Sequence, residues 1–215
     1  MDTLTNLREE LAKGDVDAVK ENVKKALKEG IEPEKILNDG LLSAMNEIGE
    51  KFSKNEVFVP EVLIAARAMN GGMEVLKPKL IETGVKSRGK VVLGTVKGDL
   101  HDIGKNLVRM MMEGAGFEVE DLGTDVSSEE FVAKVKELKP EILAMSALLT
   151  TTMVNMKEVI EKIKEEGLDE ELYIMVGGAP ITDDFASEIG ADAYAKDAAE
   201  AARKARQTIE NKKVS

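Results

Sequence analysis

Residues 90–113 read KVVLGTVKGDLHDIGKNLVRMMME, and they combine a strand pattern, a loop and a helix pattern. The stretch opens with an apolar run, Val91–Val96, that is typical of a buried strand, and it continues as a helix-like run from Asn106 to Glu113. Between the two lies His101, the only histidine in the chain. Because α/β proteins place functional residues on such strand-to-helix loops, the pattern indicates a functional role for His101.

An acidic residue, Asp99, precedes His101 by two positions. A carboxylate at this spacing could hold one ring nitrogen and leave the other free to bind a metal, a common arrangement around metal-binding histidines. The alternative is a solvated or structural histidine, and the flanking Asp99, Gly104 and strand favour function over it. The residues of this loop do not by themselves name a ligand.

Outward from this loop, residues 90–215 alternate between strand and helix patterns. The alternation predicts a parallel sheet with helices on both faces, and the length suits a flavodoxin-like (Rossmann-like) sheet in the strand order 2-1-3-4-5. Strands are predicted at Val91–Val96, Phe117–Asp121, Ile142–Ser146, Tyr173–Gly177 and Ala193–Ala195, and helices at Asn106–Glu113, Ser128–Leu138, Met153–Glu166, Thr182–Glu188 and Ala198–Glu210.

Two further segments fall at the crevice that this strand order creates. Ser146–Thr152 contains four hydroxyl groups directly after the third strand, and its alternative explanation is a helix N-cap at Thr151 or Thr152. Gly177-Gly178 ends the fourth strand. The pair predicts either a tight turn with positive φ or a wall without side chains, against which a bulky ligand can lie.

Residues 1–84 carry helical stripes throughout and predict a four-helix bundle with short connections. Asp15 is the predicted N-cap of the second helix, and Gly30 is predicted to follow its end. Pro33 and Pro60 fit the first turns of the third and fourth helices. Residues 85–89 are polar and aperiodic, and they are interpreted as a linker between the bundle and the second domain, 90–215.

The composition narrows the classes of function. The net charge of −11 disfavours nucleic acid and anionic membranes as partners. The chain has no cysteine, which excludes disulfides and thiolate metal ligands, and one histidine without cysteines disfavours an ordinary all-protein zinc site. No apolar run is long enough to span a bilayer, and the N-terminus does not resemble a signal peptide. A cytoplasmic location is predicted.

The pattern Asp99-x-His101-x-x-Gly104, then Ser146-x-Leu148, then Gly177-Gly178, resembles the cobalamin-binding domain of corrinoid-dependent methyltransferases. The helical region is similar too, so the resemblance covers nearly the whole chain. It is a resemblance to the small corrinoid proteins of methylamine, methanol and related methyltransferase systems, and to the cobalamin module of methionine synthase.

The resemblance implies a role for each matching residue. His101 would be the lower axial cobalt ligand in place of the cofactor's own base (base-off, His-on), with Asp99 and Thr152 as its hydrogen-bonded relay. The residues that would contact the cofactor or make room for it are Gly98, Asp102, Ile103, Gly104, Ser146, Leu148, Thr150, Gly177 and Gly178. Phe52, Val59 and Val62 would cover the upper, methyl-bearing face; for Val62, a place in the bundle core accounts for it equally well.

The function implied by the resemblance is a methyl carrier rather than a complete enzyme. Cobalamin or a related corrinoid, alternating between methylcob(III)alamin and cob(I)alamin, would accept a methyl group from a substrate-specific methyltransferase. It would donate that group to a second methyltransferase acting on a folate, coenzyme M or a similar acceptor. A reductive activating protein is a further implied partner, and the methyl donor stays open.

Two other functions use similar motifs. One is the cobalamin-binding subunit of an adenosylcobalamin-dependent mutase, which the helical region disfavours. The other is a cobalamin-sensing module, which the absence of a DNA-binding segment disfavours. The carrier is favoured further because the sequence contains no second catalytic constellation. A flavodoxin-like domain without a corrinoid is the weakest alternative, since three motifs match.

Overall fold

The structure is a computed structural model that describes residues 2–85 and 87–214, with the backbone alone for the last two. The chain divides into two compact units, Met1–Ser87 with Gly114–Gly116, and Arg88–Glu113 with Phe117–Ser215. The predicted linker, 85–89, contains Lys86, which lies outside the described residues. Within the part of the chain that is described, no helix is both long and apolar enough to cross a membrane.

The first unit is a bundle of helices. Helices α1 (Thr3–Lys13) and α2 (Val16–Lys28) precede a continuous helical run, and α5 (Val59–Glu82) follows it. That run consists of α3 (Pro33–Lys35), a π-helical segment (Ile36–Leu42) and α4 (Ser43–Ser53), so the predicted third helix contains a π-helical segment that its apolar pattern does not reveal. The buried side chains of the whole bundle include Leu7, Leu11, Val19, Val23, Met45 and Leu76.

The ends of α2 follow the predicted chemistry. The side chain of Asp15 accepts a hydrogen bond from the Ala18 N–H at 3.0 Å, so Asp15 is the N-cap. Gly30 has a φ of 77°, the left-handed conformation that commonly follows a helix end. In the π-helical segment, a Cβ at Gly40 would lie 2.6 Å from Cδ2 of Leu7, so this glycine permits the close approach of α1.

The second unit contains a parallel sheet in the order β2-β1-β3-β4-β5, as the flavodoxin-like pattern predicts. The strands are β1 (Lys90–Thr95), β2 (Glu118–Asp121), β3 (Ile142–Ser146), β4 (Tyr173–Gly177) and β5 (Ala193–Ala195). The helices that follow them in turn are α6 (Ile103–Gly114), α7 (Ser128–Leu138), α8 (Thr150–Glu165), α9 (Asp183–Ile189) and α10 (Ala198–Val214).

The helices α6 and α8 begin three residues earlier than predicted, at Ile103 and Thr150. Their first turns contain a glycine and a lysine in α6, and a run of threonines in α8. Because the prediction depends on apolar periodicity, it does not register first turns of this composition.

A tight contact in the sheet unit provides a test of the fold. Phe131 on α7 is fully buried, and a Cβ at Gly94 in β1 would lie 2.8 Å from two of its ring carbons. We expect Gly94→Ala to lower the free energy of unfolding by about 1–3 kcal/mol, because the core is overpacked there. Urea unfolding followed by circular dichroism measures this change.

The matched variant is Gly94→Ala combined with Phe131→Leu, which removes part of the ring that meets the new methyl group. The double variant should be more stable than the sum of the two single changes predicts. Additive effects of the two substitutions would contradict the contact.

Candidate functional site

The site is built from loops at the carboxyl edge of the sheet. β1 leads into the loop that carries Asp99 and His101, and β3 leads into the loop before α8. The two strands are neighbours, with Thr95 beside Ser146 in register. Their adjacency brings Asp99 and Thr152 into hydrogen-bond contact although 53 residues separate them in sequence.

Asp99 is fully buried, and both of its carboxylate oxygens accept hydrogen bonds. Oδ1 accepts from Nδ1 of His101 at 2.7 Å and from the backbone N–H of the same residue at 3.1 Å. Oδ2 accepts from the Thr152 hydroxyl at 2.6 Å and from the backbone N–H groups of Leu148 at 2.8 Å and Leu149 at 3.3 Å. These donors use the full accepting capacity of a carboxylate.

These hydrogen bonds set the charge of the carboxylate. Burial by itself raises the pKa of Asp99, but the hydrogen bonds from Thr152, Leu148 and His101 outweigh burial and hold the pKa well below its usual range. An ionised carboxylate can only accept, so Nδ1 of His101 carries the proton of their contact. In a neutral ring with this tautomer, Nε2 keeps its lone pair, through which a histidine binds a metal.

The backbone of His101 is hydrogen-bonded, as its ring is. The Thr95 hydroxyl, at the end of β1, donates to the His101 carbonyl oxygen at 2.9 Å. The His101 side chain is 50% exposed, and Nε2 has no partner among the described residues. Nε2 is therefore available to a ligand while the other polar atoms of this residue are occupied.

Apolar side chains around His101 are unusually exposed. Leu100 and Ile103, on either side of it in sequence, are 74% and 78% exposed. Leu148 and Leu149, whose N–H groups donate to Asp99, are also exposed. Apolar side chains gathered around a free metal-binding nitrogen indicate a surface that an apolar ligand face covers.

Gly104 gives independent support for a bulky ligand. It lies in the first turn of α6, and a methyl group there would meet no described atom within 4 Å beyond its own chain neighbours and the nearby backbone of the helix. Its φ is not positive, so neither backbone conformation nor packing among the described residues requires glycine. Glycine in a helix costs about 1 kcal/mol relative to alanine, which favours a ligand that needs the space.

The glycine pair after β4 has an explanation within the chain. Gly178 has a φ of 127°, and a Cβ there would lie 1.8 Å from the carbonyl oxygen of Ala147. A Cβ at Gly177 would lie 2.9 Å from the carbonyl oxygen of Ala195. The tight-turn alternative therefore suffices to explain Gly178, and a ligand-facing role for the pair remains a prediction.

The other predicted contact residues lie in the same loops. Gly98 donates its N–H to Asp125 at 2.7 Å, and Asp102 accepts from the Asn106 side chain at 3.1 Å. Ser146 is half-buried at the end of β3, and Thr150 is exposed at the start of α8. The cap alternative for Thr151 or Thr152 is wrong, because the N-cap of α8 is Leu149 and no side chain caps it.

In the bundle, the predicted cap residues differ in exposure. Phe52 and Val59 are half-buried, whereas Val62 is fully buried, as a core residue would be. The prediction did not include Phe58, which is 63% exposed beside Val59. An aromatic residue at a helix start gives no periodic signal, so the exposure of Phe58 is seen only in the structure.

Sequence reasoning missed several groups that hold the site. The N–H groups of Leu148 and Leu149 act through the backbone, which leaves no trace in residue type. Lys105 is 2% exposed and donates to Asp121 Oδ1 at 2.6 Å, which ties the first turn of α6 to the end of β2. Thr95, which donates to the His101 carbonyl, was also not predicted. Its sequence signal is that of a lone hydroxyl residue in an apolar strand.

Comparison with known proteins identifies the family to which the chain belongs. Residues 89–204 match a family described as B12 binding domain, and residues 3–77 match a second family with the same description. The chain belongs to the B12-binding corrinoid proteins. This family assignment agrees with the resemblance in the sequence, and it includes the helical unit.

Individual relatives of this corrinoid protein cover nearly its whole length. It is 46% identical to trimethylamine corrinoid protein 1 of Methanosarcina acetivorans, over 97% of this chain and 94% of the relative. It is 46% identical to dimethylamine corrinoid protein 1 of the same organism, over 90% and 91%. A crystal structure of a methanol:cobalamin methyltransferase complex from Methanosarcina barkeri superposes with a TM-score of 0.86 at 33% identity, covering 97% of this chain and 80% of that one.

The residues of this corrinoid protein fit the cofactor that its family binds. Nε2 of His101 could offer a nitrogen to cobalt, the exposed Leu100 and Ile103 could offer an apolar surface to the macrocycle, and Gly104 would leave space for it. The fit is therefore one of chemistry, since a nitrogen donor, an apolar surface and free space occur together in these loops.

The buried carboxylate gives a first test of the site. Asp99→Asn removes the charge of the carboxylate and one acceptor that fixes Nδ1–H of His101. The ring proton is then no longer fixed on Nδ1, so Nε2 no longer always presents its lone pair. Changes to such partners of a metal-binding histidine typically cost about 10–100-fold in affinity, and we expect a loss in that range for hydroxocobalamin. Absorbance titration measures it. Asp184→Asn, an exposed carboxylate on α9, is the control, and equal affinity for both variants would contradict the assignment.

Gly104 gives a second test with two opposite effects. Gly104→Ala should raise the free energy of unfolding of the cofactor-free protein by about 0.5–1 kcal/mol, because alanine favours the helix. The same variant should bind hydroxocobalamin more weakly, because the methyl group occupies ligand space. Chemical unfolding with and without cofactor measures both effects. Undiminished binding would show that the ligand does not use this space.

Proposed function

We propose that this chain is a corrinoid-carrying methyl shuttle whose cofactor is bound base-off with His101 as the axial ligand. The observation that carries the proposal is the fully buried Asp99, which leaves Nε2 of His101 as a free nitrogen beside exposed apolar side chains. The relatives named as corrinoid proteins of the trimethylamine and dimethylamine systems support it.

When bound, the corrinoid would supply a cobalt atom that accepts a methyl group from one partner and gives it to another. The residues of the chain would hold and tune this atom. Asp99 keeps the proton on Nδ1 of His101, which directs Nε2 to the metal and increases its basicity. Thr152 and the N–H groups of Leu148 and Leu149 keep the carboxylate ionised.

These residues would also stabilise a protonated His101 ring. A proton on Nε2 in place of a metal would make the ring positive, and Nδ1 lies 2.7 Å from Oδ1 of the Asp99 carboxylate. Coordination and protonation at Nε2 would therefore be coupled.

We propose further that the chain is not an enzyme by itself and that it works with partner proteins in the cytoplasm. A substrate-specific methyltransferase would supply the methyl group, a second methyltransferase acting on a folate, coenzyme M or a similar acceptor would take it, and a reductive protein would restore oxidised cobalt. A methylated amine is the proposed methyl source, since the relatives from amine systems reach 46% identity and the methanol complex 33%.

A mutase subunit and a cobalamin sensor are not favoured. The match to a B12 binding domain includes residues 3–77, which form the helical bundle. That unit is part of the resemblance to carriers and has no counterpart in the mutase alternative, where a barrel covers the upper face.

The decisive variant is His101→Ala. The unchanged protein should bind hydroxocobalamin with an absorption spectrum that differs from that of the free vitamin, because imidazole replaces the vitamin's base. His101→Ala should lose that spectrum, and Asp184→Asn should retain it. Transfer of a methyl group from trimethylamine or dimethylamine, with the matching methyltransferase, should be faster than transfer from methanol with its own. Carbon-skeleton rearrangement with adenosylcobalamin would overturn the carrier proposal.

A further inference from the structure

We infer that Thr95 is a positioning residue for the axial histidine, acting through the carbonyl group of His101. The inference deepens the proposed function, since it concerns the same site. Thr95 is the last residue of β1 and is fully buried. It follows the apolar run Val91–Leu93 and Gly94, and precedes Val96, where a hydroxyl group has no packing advantage.

The hydroxyl of Thr95 closes the loop that carries the site. It donates to the His101 carbonyl oxygen at 2.9 Å across a separation of six residues. A buried hydroxyl without a partner is unfavourable, so this contact accounts for the presence of the hydroxyl. The bond joins the end of β1 to the peptide that immediately follows the ring-bearing residue.

The rest of the loop is fixed independently of Thr95. The Asp99 N–H donates to the Val96 carbonyl oxygen at 3.1 Å, and the Asp125 N–H donates to the Asp99 carbonyl oxygen at 3.0 Å. The Asp99 carboxylate is anchored by Thr152, as described above. Thr95 is therefore the group that holds the His101 carbonyl, while other groups hold Asp99.

This division predicts a specific consequence of losing the hydroxyl. Asp99 should stay in place, but the His101 peptide should gain freedom to rotate, so the Nδ1–H contact at 2.7 Å should become longer or less populated. The ring would then present Nε2 over a range of directions. A metal bond is sensitive to direction, so affinity should fall although no metal ligand is removed.

Thr95→Val tests the inference, because valine has nearly the same shape and suits a buried strand. In the cofactor-free protein, the Nδ1 and Nε2 signals of the only histidine are read directly by ¹⁵N NMR. We expect Thr95→Val to shift them and to weaken the Nδ1–H hydrogen bond. Thr95→Ser, which keeps the hydroxyl, should preserve them. Thr3→Val is the matched control, since Thr3 is also buried and donates to Glu29 in the bundle.

The affinity for hydroxocobalamin should fall about tenfold in Thr95→Val, the lower end of the range for partners of a metal-binding histidine. It should stay within about twofold in Thr95→Ser and Thr3→Val. If Thr95→Val does not fold, Thr95→Ala carries the same expectation. Histidine signals identical to those of the unchanged protein, or an equal disturbance in Thr95→Ser, would overturn the inference. Failure of the unchanged protein to bind cobalamin would instead overturn the proposed function, and the NMR comparison would still decide the role of Thr95.

Discussion

A single buried negative charge organises this site. The Asp99 carboxylate is fully removed from water, and a buried charge without partners would shift its pKa until it became neutral. Here the donors come from His101, Thr152 and two backbone N–H groups after β3. Together they keep the charge, and the charge in turn fixes which nitrogen of His101 is protonated. The site depends on this chain of causes more than on any one contact.

The strand order explains why such a site is possible. β1 and β3 are neighbours and parallel, so the loops that follow them leave the sheet at the same edge. One loop supplies the carboxylate and the histidine, and the other supplies the donors that keep the carboxylate ionised. Lys105 and Asp121 add an ion pair that ties α6 to β2, which holds the beginning of the helix after His101.

The sequence predicts the sheet and the central residues well, because both leave strong local signals. β3, β4 and β5 have the predicted limits, since each is a compact strand pattern between polar or glycine-containing segments. The starts of α6 and α8 differ from the prediction, because the first turn of α8 contains threonines and Ile103 is followed in α6 by glycine and lysine, so neither turn has the apolar periodicity of a helix. Asp99 and His101 follow from the motif, whereas the N–H groups of Leu148 and Leu149 require the folded loop. The π-helical segment in the bundle has no sequence signal that periodicity would register.

The most direct test of the account asks which nitrogen binds cobalt. Since His101 is the only histidine, growth on ¹⁵N-histidine labels that ring alone. With the cobalt reduced to its paramagnetic divalent state, we expect the axial nitrogen splitting in the electron paramagnetic resonance spectrum to change from a triplet to a doublet on labelling. A splitting that remains a triplet would mean that the nitrogen belongs to the cofactor's own base, and it would contradict the axial role of His101.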